Sequence, residues 1–501
     1  MGVDAQQPQE TEWTPQQLSE QEGIRREKLK TLVEAGQNPY AITHFSVTHD
    51  SAEILSHFDT LEGQDVRIAG RMVSKRVMGK ASFAHLLDER GPLQFYVRRD
   101  DVGDAAYAAF KDDDLGDVIG VEGTVFRTQK GEISVHAKTL TLLTKCLKVL
   151  PEKFHGLKDP DLRYRQRYVD MIVNPEVRDT FRKRSRIIAA VREFLDNRGF
   201  IEVDTPVLQT VEIGAAARTF KTHHNALDLD MFLRIETELY LKRLIVGGFR
   251  RVYEVGRLFR NEGMDATHNP EFTSVETYEA YVDYNALMEM VEQLYATVAA
   301  RVCGSTLVPS AGEMIELQAP WRRVTMAQAV KDACGVEYAD WKTDEEARAC
   351  LDGLSVRCEK NAKRGDCLAA LFDEYVEATL IQPTFVTDYP VDISPLAKRK
   401  PENPDLTERF EFFINGHEMG NAFSELNDPI DQRRRFEEQV RLRAAEGIRA
   451  EVDEDFVTAL EYGLPPTGGL GFGIDRMVML LTDNASIRDV LLFPTMKPLQ
   501  A

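Results

Sequence analysis

Residues 251–281 read RVYEVGRLFRNEGMDATHNPEFTSVETYEAY. Val252, Glu254, Gly256, Leu258 and Arg260 alternate with Tyr253, Val255, Arg257 and Phe259, the period-2 pattern of a strand whose two faces meet different surroundings. Residues 261–270 are polar, include Gly263 and Pro270, and read as a loop. Residues 271–281 resume with β-branched and aromatic side chains, so the stretch predicts two antiparallel strands joined by a long charged loop. Long loops inside compact domains are often functional. Arg260 and Glu262 share a face if the first strand runs on through them, and Phe272, Ser274, Glu276 and Tyr278 share a face of the return strand. An Arg fork suits a carboxylate or phosphate, a Glu accepts from an amine, and an aromatic ring stacks on a flat base. Taken alone, the hairpin fits a surface Arg–Glu ion pair equally well.

Two later stretches bear on that choice. FEFFINGHEMGN, residues 410–421, carries Asn415-Gly416, the strongest short hairpin signal, a two-residue type I′ turn. Its register predicts Phe413 opposite Glu418 and Glu411 opposite Gly420, with Glu411 and Glu418 on one face a diagonal apart. Two neighbouring carboxylates repel unless a positive charge lies between them; magnesium bridging to phosphates, a shared Arg and plain solvent are the alternatives. Asn421, Phe423 and Glu425 share a face, but strict alternation sets them opposite Glu418, so one common pocket requires a bulge near Gly420. GLGFGIDR, residues 469–476, precedes the apolar run MVMLL; its glycine spacing is wrong for a dinucleotide loop, and too little chain follows for the βαβ unit. The glycines are expected to let a ligand approach the backbone, with Arg476 reaching a phosphate or base from the first turn of a helix.

Towards the N-terminus, residues 1–13 are Gln/Glu-rich without a core pattern and are expected to be disordered. Thr14-Pro15-Gln16-Gln17 offers a capping box for a helix that Gly36 stops, and its RREKLK run at residues 25–30 suits a solvated face or a phosphate backbone. Between about 64 and 144, five strand-like runs separated by Gly, Pro and Asp fit a small Greek-key barrel. Such barrels grip single-stranded nucleic acid with aromatics beside a basic groove; Arg71, Lys75, Arg76, Lys80 and Phe83 supply both, and Gln94 and Glu132 are candidate base-edge readers. Incidental basic residues on a plain barrel are the alternative. Residues 145–170 read as a basic linker, and Asn174-Pro175-Glu176 opens a helix closed by Gly199. Its stripe of Ile187, Ile188, Val191, Phe194 and Leu195, followed by IEVDTPVL with Pro206 breaking a strand, fits a dimer seam or simple core packing. Residues 310–375 are mixed, with helical stretches, and are expected to interrupt one catalytic sheet.

With 501 residues the chain is long enough for about three domains. Acidic residues outnumber basic ones 82 to 62, a net charge of -20 that argues against a protein coating nucleic acid, so any such contact must be local. No run approaches the roughly 20 apolar residues of a membrane span, and no apolar signal core opens the chain, so a cytoplasmic protein without membrane contact is expected. The six cysteines form no CxxC or zinc spacing and are expected to be reduced structural thiols.

The helix with its Pro-ended strand at 184–208, FRNEG with HNPEF at 259–272, and GLGFGIDR together resemble motifs 1, 2 and 3 of the class II aminoacyl-tRNA synthetases. GAAARTF at 214–220, THHNALDLDM at 222–231, ELYLKRLIVGGF at 238–249 and NAFSELND at 421–428 are similar to the bacterial lysyl-tRNA synthetases over nearly the whole chain. The resemblance implies an α+β chain. An N-terminal extension with a helix (1–60) would be followed by a five-stranded OB-type barrel that reads the anticodon (61–147) and a linker (148–172). An antiparallel catalytic sheet flanked by helices (173–501) would hold an insertion at about 310–375. It implies a homodimer through 184–208, with L-lysine, ATP and tRNA(Lys) as partners and Mg2+ as cofactor.

Carried over residue by residue, Arg260 and Arg476 would be catalytic, and Arg260, Glu262, His268, Asn269, Phe272 and Arg476 would hold ATP, with Phe272 and Arg476 on either side of adenine. Gly214, Glu238, Arg260, Glu276, Tyr278, Asn421, Phe423 and Glu425 would hold lysine. Glu411 and Glu418 would bind magnesium, and Arg76, Phe83, Gln94 and Glu132 would read the anticodon. The chain departs from the family pattern at Glu236-Thr237, where Ala-Pro is frequent, at Ile213 for a common Gly, and at Thr219 for a common Pro. Glu236, two residues before Glu238, would share its face and alter the pocket's charge.

Overall fold

The computed structural model describes residues 19–151, 157–211, 217–445 and 451–499, in two compact units. The expected cap at Thr14 and the expected disorder of residues 1–13 lie outside these. In the first unit, helix α1 (Glu20–Glu34) starts where Ser19 accepts the Glu22 amide. Its RREKLK face is not wholly solvated: Arg25 is buried and donates to the Cys146 and Lys148 carbonyls, and Lys28 pairs with Asp114. Strands β1 (Asp65–Met78), β2 (Ala81–Leu87), β3 (Pro92–Arg98), β4 (Val118–Arg127) and β5 (Ile133–Thr144) close the expected barrel in the order β1-β2-β3-β5-β4. Alternation turns Ile68, Leu86, Phe95, Val121 and Val135 into a filled core. A helix between β3 and β4, α2 (Asp104–Asp112), was not foreseen. Part of the expected linker is also helical, at Pro160–Arg165 and Arg167–Val173.

The second unit is built on an eight-stranded sheet. Helix α3 (Pro175–Asp196) is followed by the two-residue edge strand β6 (Ile201–Glu202), which stops before Pro206. Helix α4 (Glu238–Val246) leads into β7 (Arg251–Phe259) and β8 (Glu271–Ala280), the expected hairpin, paired from Arg251↔Glu279 to Phe259↔Glu271. Helix α5 (Tyr284–Cys303), capped by Asp283, covers the back of the sheet. Strands β9 (Arg322–Thr325) and β10 (Thr384–Thr387), the hairpin β11 (Arg409–Ile414) and β12 (His417–Ser424), β13 (Thr467–Gly473) and helix α6 (Ile474–Thr482) complete the order β9-β10-β11-β12-β13-β8-β7-β6. The six central strands are antiparallel, while the outermost pairs, β9 with β10 and β6 with β7, are parallel. The stripe of α3 packs into the core of its own unit, so core packing accounts for it.

Two expectations are corrected. Residues 310–375 are not wholly an insertion, because β9 lies within them and forms a sheet edge; the helices that follow build a separate small core around Leu351, Leu368 and Phe372. The β11–β12 hairpin pairs Phe413 with Glu418 as expected, but Glu411 lies opposite Asn421, not Gly420, because a bulge at Met419 shifts the register. Asn415 and Gly416 adopt φ of 53° and 72°, as a type I′ turn requires. The bulge brings Glu411, Glu418, Asn421 and Phe423 onto one face, the condition the alternation demanded for one pocket. Among the described residues no helix is long and apolar enough to cross a membrane, and all six cysteines are free.

Candidate active site

A cavity of about 320 Å³ opens over the middle of the sheet, lined from β8 by Phe272, Ser274, Glu276 and Tyr278 and from β12 by Glu418, Asn421 and Phe423. Arg260, Glu262, His268 and Asn269 enter from the β7–β8 loop, Glu238 from α4, and Arg476 from α6. The even-numbered face of β8 is the face the sequence pattern assigns. Arg260 and Glu262 come from the loop instead, since β7 ends at Phe259 and the Arg260 amide donates to the Pro270 carbonyl. Gly214 and Ile213 lie outside the described residues.

One end of the cavity is acidic. The Glu276 carboxylate accepts from the Thr237 amide at 3.3 Å and from the Tyr278 hydroxyl at 3.3 Å. Burial, and then the charge of Glu238, pushes the Glu276 carboxyl up to about 7. Glu425 does not line the cavity; it is buried beneath Gly469, where an added Cβ would lie 2.0 Å from its Oε1 and 2.6 Å from the Tyr278 ring. That glycine therefore makes room for two protein side chains rather than for a ligand. Lys242, fully buried, donates to Glu238 at 2.6 Å and pairs with Glu425. Burial favours its neutral form, but the two carboxylates outweigh this and hold it charged. Sequence reasoning missed Lys242. The Glu238–Lys242 spacing of four on a helix was the available signal, though such pairs usually sit on solvated faces.

The other end is cationic. The Arg260 guanidinium lies 5.3 Å from the centre of the Phe272 ring, and Arg476 donates to the Glu418 carbonyl and lies 3.4 Å from His268 Nε2. Asp475, beside Arg476, is buried; it accepts the Thr273 amide at 2.8 Å and pairs with Arg184 at 2.6 Å. These contacts tie the start of α6 to β8 and so fix where Arg476 points, a positioning role the motif alone did not reveal. His268 is held by Asp265, and Asn269 is committed to the Glu271 carbonyl at 2.6 Å and the Thr495 amide at 3.3 Å.

Glu411 stands outside the cavity lining, accepting from the Tyr389 hydroxyl at 2.9 Å and from Arg409. Burial, and then the charge of Glu418, pushes it up to about 7. Arg409 serves Glu411 from within its own strand and is not shared with Glu418. Two hard oxygen donors on adjacent strands, with the charge of Glu418 raising the cost of ionising Glu411, would suit a magnesium ion. Among the described residues no cluster of three or more such donors forms.

On the barrel, Arg76 lies across the ladder from Phe83, and the Phe83 ring lies tilted 4.9 Å from Tyr96, which in turn meets His136 at 5.1 Å and Phe126 at 6.1 Å. Tyr96, Phe126 and His136 were not singled out from sequence, because each reads as an ordinary strand residue. Gln94 and Glu132 are joined at 2.7 Å, and Gln94 also accepts from Ser134, so their edges are engaged with each other. Arg71 and Lys75 leave the expected basic groove: both turn to backbone carbonyls, at Gly116 for Arg71 and around Lys111 for Lys75, leaving Arg76 and Lys80 exposed.

The family described as tRNA synthetases class II (D, K and N) matches residues 159–497, and the OB-fold nucleic acid binding domain matches residues 66–143. The first of these matches spans more than half of the chain, and the chain belongs to this class. The lysine--tRNA ligase of Thermoanaerobacter pseudethanolicus is 57% identical over 484 residues, covering 96% of this chain and 97% of that protein. That of Clostridium perfringens is 56% identical over 487 residues, with 96% and 97% covered, and that of Moorella thermoacetica 57% over 476 residues, with 95% and 97% covered. Within the class, the chain belongs to the lysine--tRNA ligase family.

Proposed function

We propose that the chain joins L-lysine and ATP into lysyl-adenylate with release of pyrophosphate, and then passes the lysyl group to the 3′ end of tRNA(Lys). The observation that carries this reading is the polarity of one cavity: Glu238, Glu276 and the buried Glu425 at one end, Arg260 and Arg476 at the other. A lysine substrate brings two ammonium groups and one carboxylate into a partly desolvated site, and each needs an opposite charge. An acidic substrate such as aspartate would call for Arg or Lys at 276 and 425.

Arg260 holds the lysine carboxylate and the α-phosphate together. A carboxylate oxygen forms the new bond to phosphorus as the bond to the leaving pyrophosphate breaks. The nucleophile is already ionised, so no tuned base is needed, and positioning with charge neutralisation by Arg260 and Arg476 carries the rate. Phe272 and Arg476 flank the base, Glu262, His268 and Asn269 complete the nucleotide site, and Glu238, Tyr278, Asn421, Phe423 and Gly214 complete the lysine site. Glu411 and Glu418 hold magnesium, which when bound neutralises phosphate charge. In the second step the terminal ribose hydroxyl attacks the adenylate carbonyl and AMP leaves. The barrel face around Arg76, Phe83, Gln94 and Glu132 takes the anticodon. A homodimer acting in the cytoplasm accords with the resemblance.

ATP–pyrophosphate exchange measured across all amino acids tests the proposal. Lysine alone should drive exchange, and Arg260→Ala should abolish it, a loss of about a thousandfold or more. Exchange driven by aspartate but not lysine would overturn the substrate assignment.

A further inference from the structure

Glu236 stands where the resemblance leads one to expect a small apolar residue, immediately before α4 and its N-cap Thr237. It lines the main cavity, and with Glu238 and Phe423 it also lines a second cavity of about 430 Å³. A side chain that lines two cavities is not packed into a core. It is free to meet a ligand.

The other acids of this end already have partners. Glu238 and Glu425 share the Lys242 ammonium, and Glu276 takes the Thr237 amide and the Tyr278 hydroxyl. Among the described residues Glu236 has no hydrogen bond or close ion pair; it feels Glu238, Glu276, Lys242 and Arg260 only through space. Burial beside Glu238 and Glu276 pushes its carboxyl up to about 8. Asp366, Asp392 and Arg409 face it from the second cavity.

Resting on the lysine-activating reading, we propose that Glu236 is a further lysine-recognising residue, its unpartnered carboxylate taking the charge of the substrate's α-ammonium on the side of the acidic cluster that feels Arg260. The location follows from connectivity. In an α-amino acid the ammonium sits on the carbon that bears the carboxylate, so the group beside the Arg260-bound carboxylate is the α-ammonium. Glu425 lies under Gly469 and is paired with Lys242, which leaves Tyr278 and Glu276 to the ε-ammonium. The neighbouring Glu238 is less able to meet the α-ammonium alone, since Lys242 already takes much of its charge.

The test compares Glu236→Gln and Glu236→Ala with the unaltered chain in lysine-dependent exchange. The lysine KM should rise roughly tenfold to hundredfold, the worth of a charged hydrogen bond, with kcat and the ATP KM changed less than about threefold. Inhibition by norleucine, which keeps the α-ammonium, should weaken in the variants, while inhibition by 6-aminohexanoate, which lacks it, should not. Melting without ligand should move up for Glu236→Gln, because an unpartnered buried acid is removed, and the stabilisation conferred by added lysine should shrink. An unchanged lysine KM, an equal loss for 6-aminohexanoate, or a lowered melting temperature without ligand would each overturn the assignment. Absence of lysine-dependent exchange in the unaltered chain would instead remove the functional reading beneath it.

Discussion

Glu276 is 8% exposed and, at about 7, keeps its proton well above the ordinary 4.5 of a free glutamate. A carboxyl whose folded value is raised contributes stability that is complete below the unfolded value and lost as the pH climbs through the folded one. The unliganded chain should therefore lose on the order of 2 kcal/mol from this group between about pH 4.5 and pH 7.5, as read by chemical denaturation across that range. Glu276→Gln should remove this group's share of that loss, leaving the shares of Glu236 and Glu411. Lysine affinity should run the other way, rising from about pH 6 to pH 8 because the ammonium needs the ionised form; an affinity flat over that window would contradict the role. Glu276 and Tyr278 were legible because period-2 alternation fixes which side chains share a face. Lys242 was not, since a Glu–Lys pair in ELYLKRL looks the same whether its helix face meets water or the floor of a pocket.

The hairpin of β11 and β12 shows what an element adds to its residues. Asn415-Gly416 announces the turn, and the turn sets the first pair, Phe413 with Glu418. Beyond it, Met419 bulges out and changes which side chains are neighbours. Gly416→Ala places a Cβ on a residue with φ of 72°, where its nearest contact is the Ala378 backbone at 3.4 Å, so the cost is conformational rather than a clash. It should lower stability by about 1 kcal/mol, visible as a fall of a few degrees in Tm. An unchanged Tm would mean that the left-handed turn does not matter to the fold. A bulge is recoverable from sequence only as a conditional, since one extra residue leaves no compositional mark and is stabilised by contacts on both sheet faces.

At the scale of the whole chain, the barrel and the sheet each have their own core. Separate cores allow the two steps of the reaction to be dissected. Phe83→Ala should weaken tRNA charging by about tenfold through loss of a stacked base, while lysine-dependent exchange stays nearly intact. Equal losses in both assays would take the anticodon role away from the barrel. The sequence by itself determined the two-part architecture, the five barrel strands, the β7–β8 hairpin and most of the cavity's side chains, because strand periodicity, turn chemistry and charge type are local properties. The edge strand drawn from residues 310–375, the bulge that unites Glu418 with Asn421, the Lys242 bridge and the inward turn of Arg71 and Lys75 were decided only by the tertiary structure. The physical reason is the same for all four. Each depends on which distant surface a side chain or strand edge is pressed against, and burial, unlike periodicity, is not a property of neighbours in sequence.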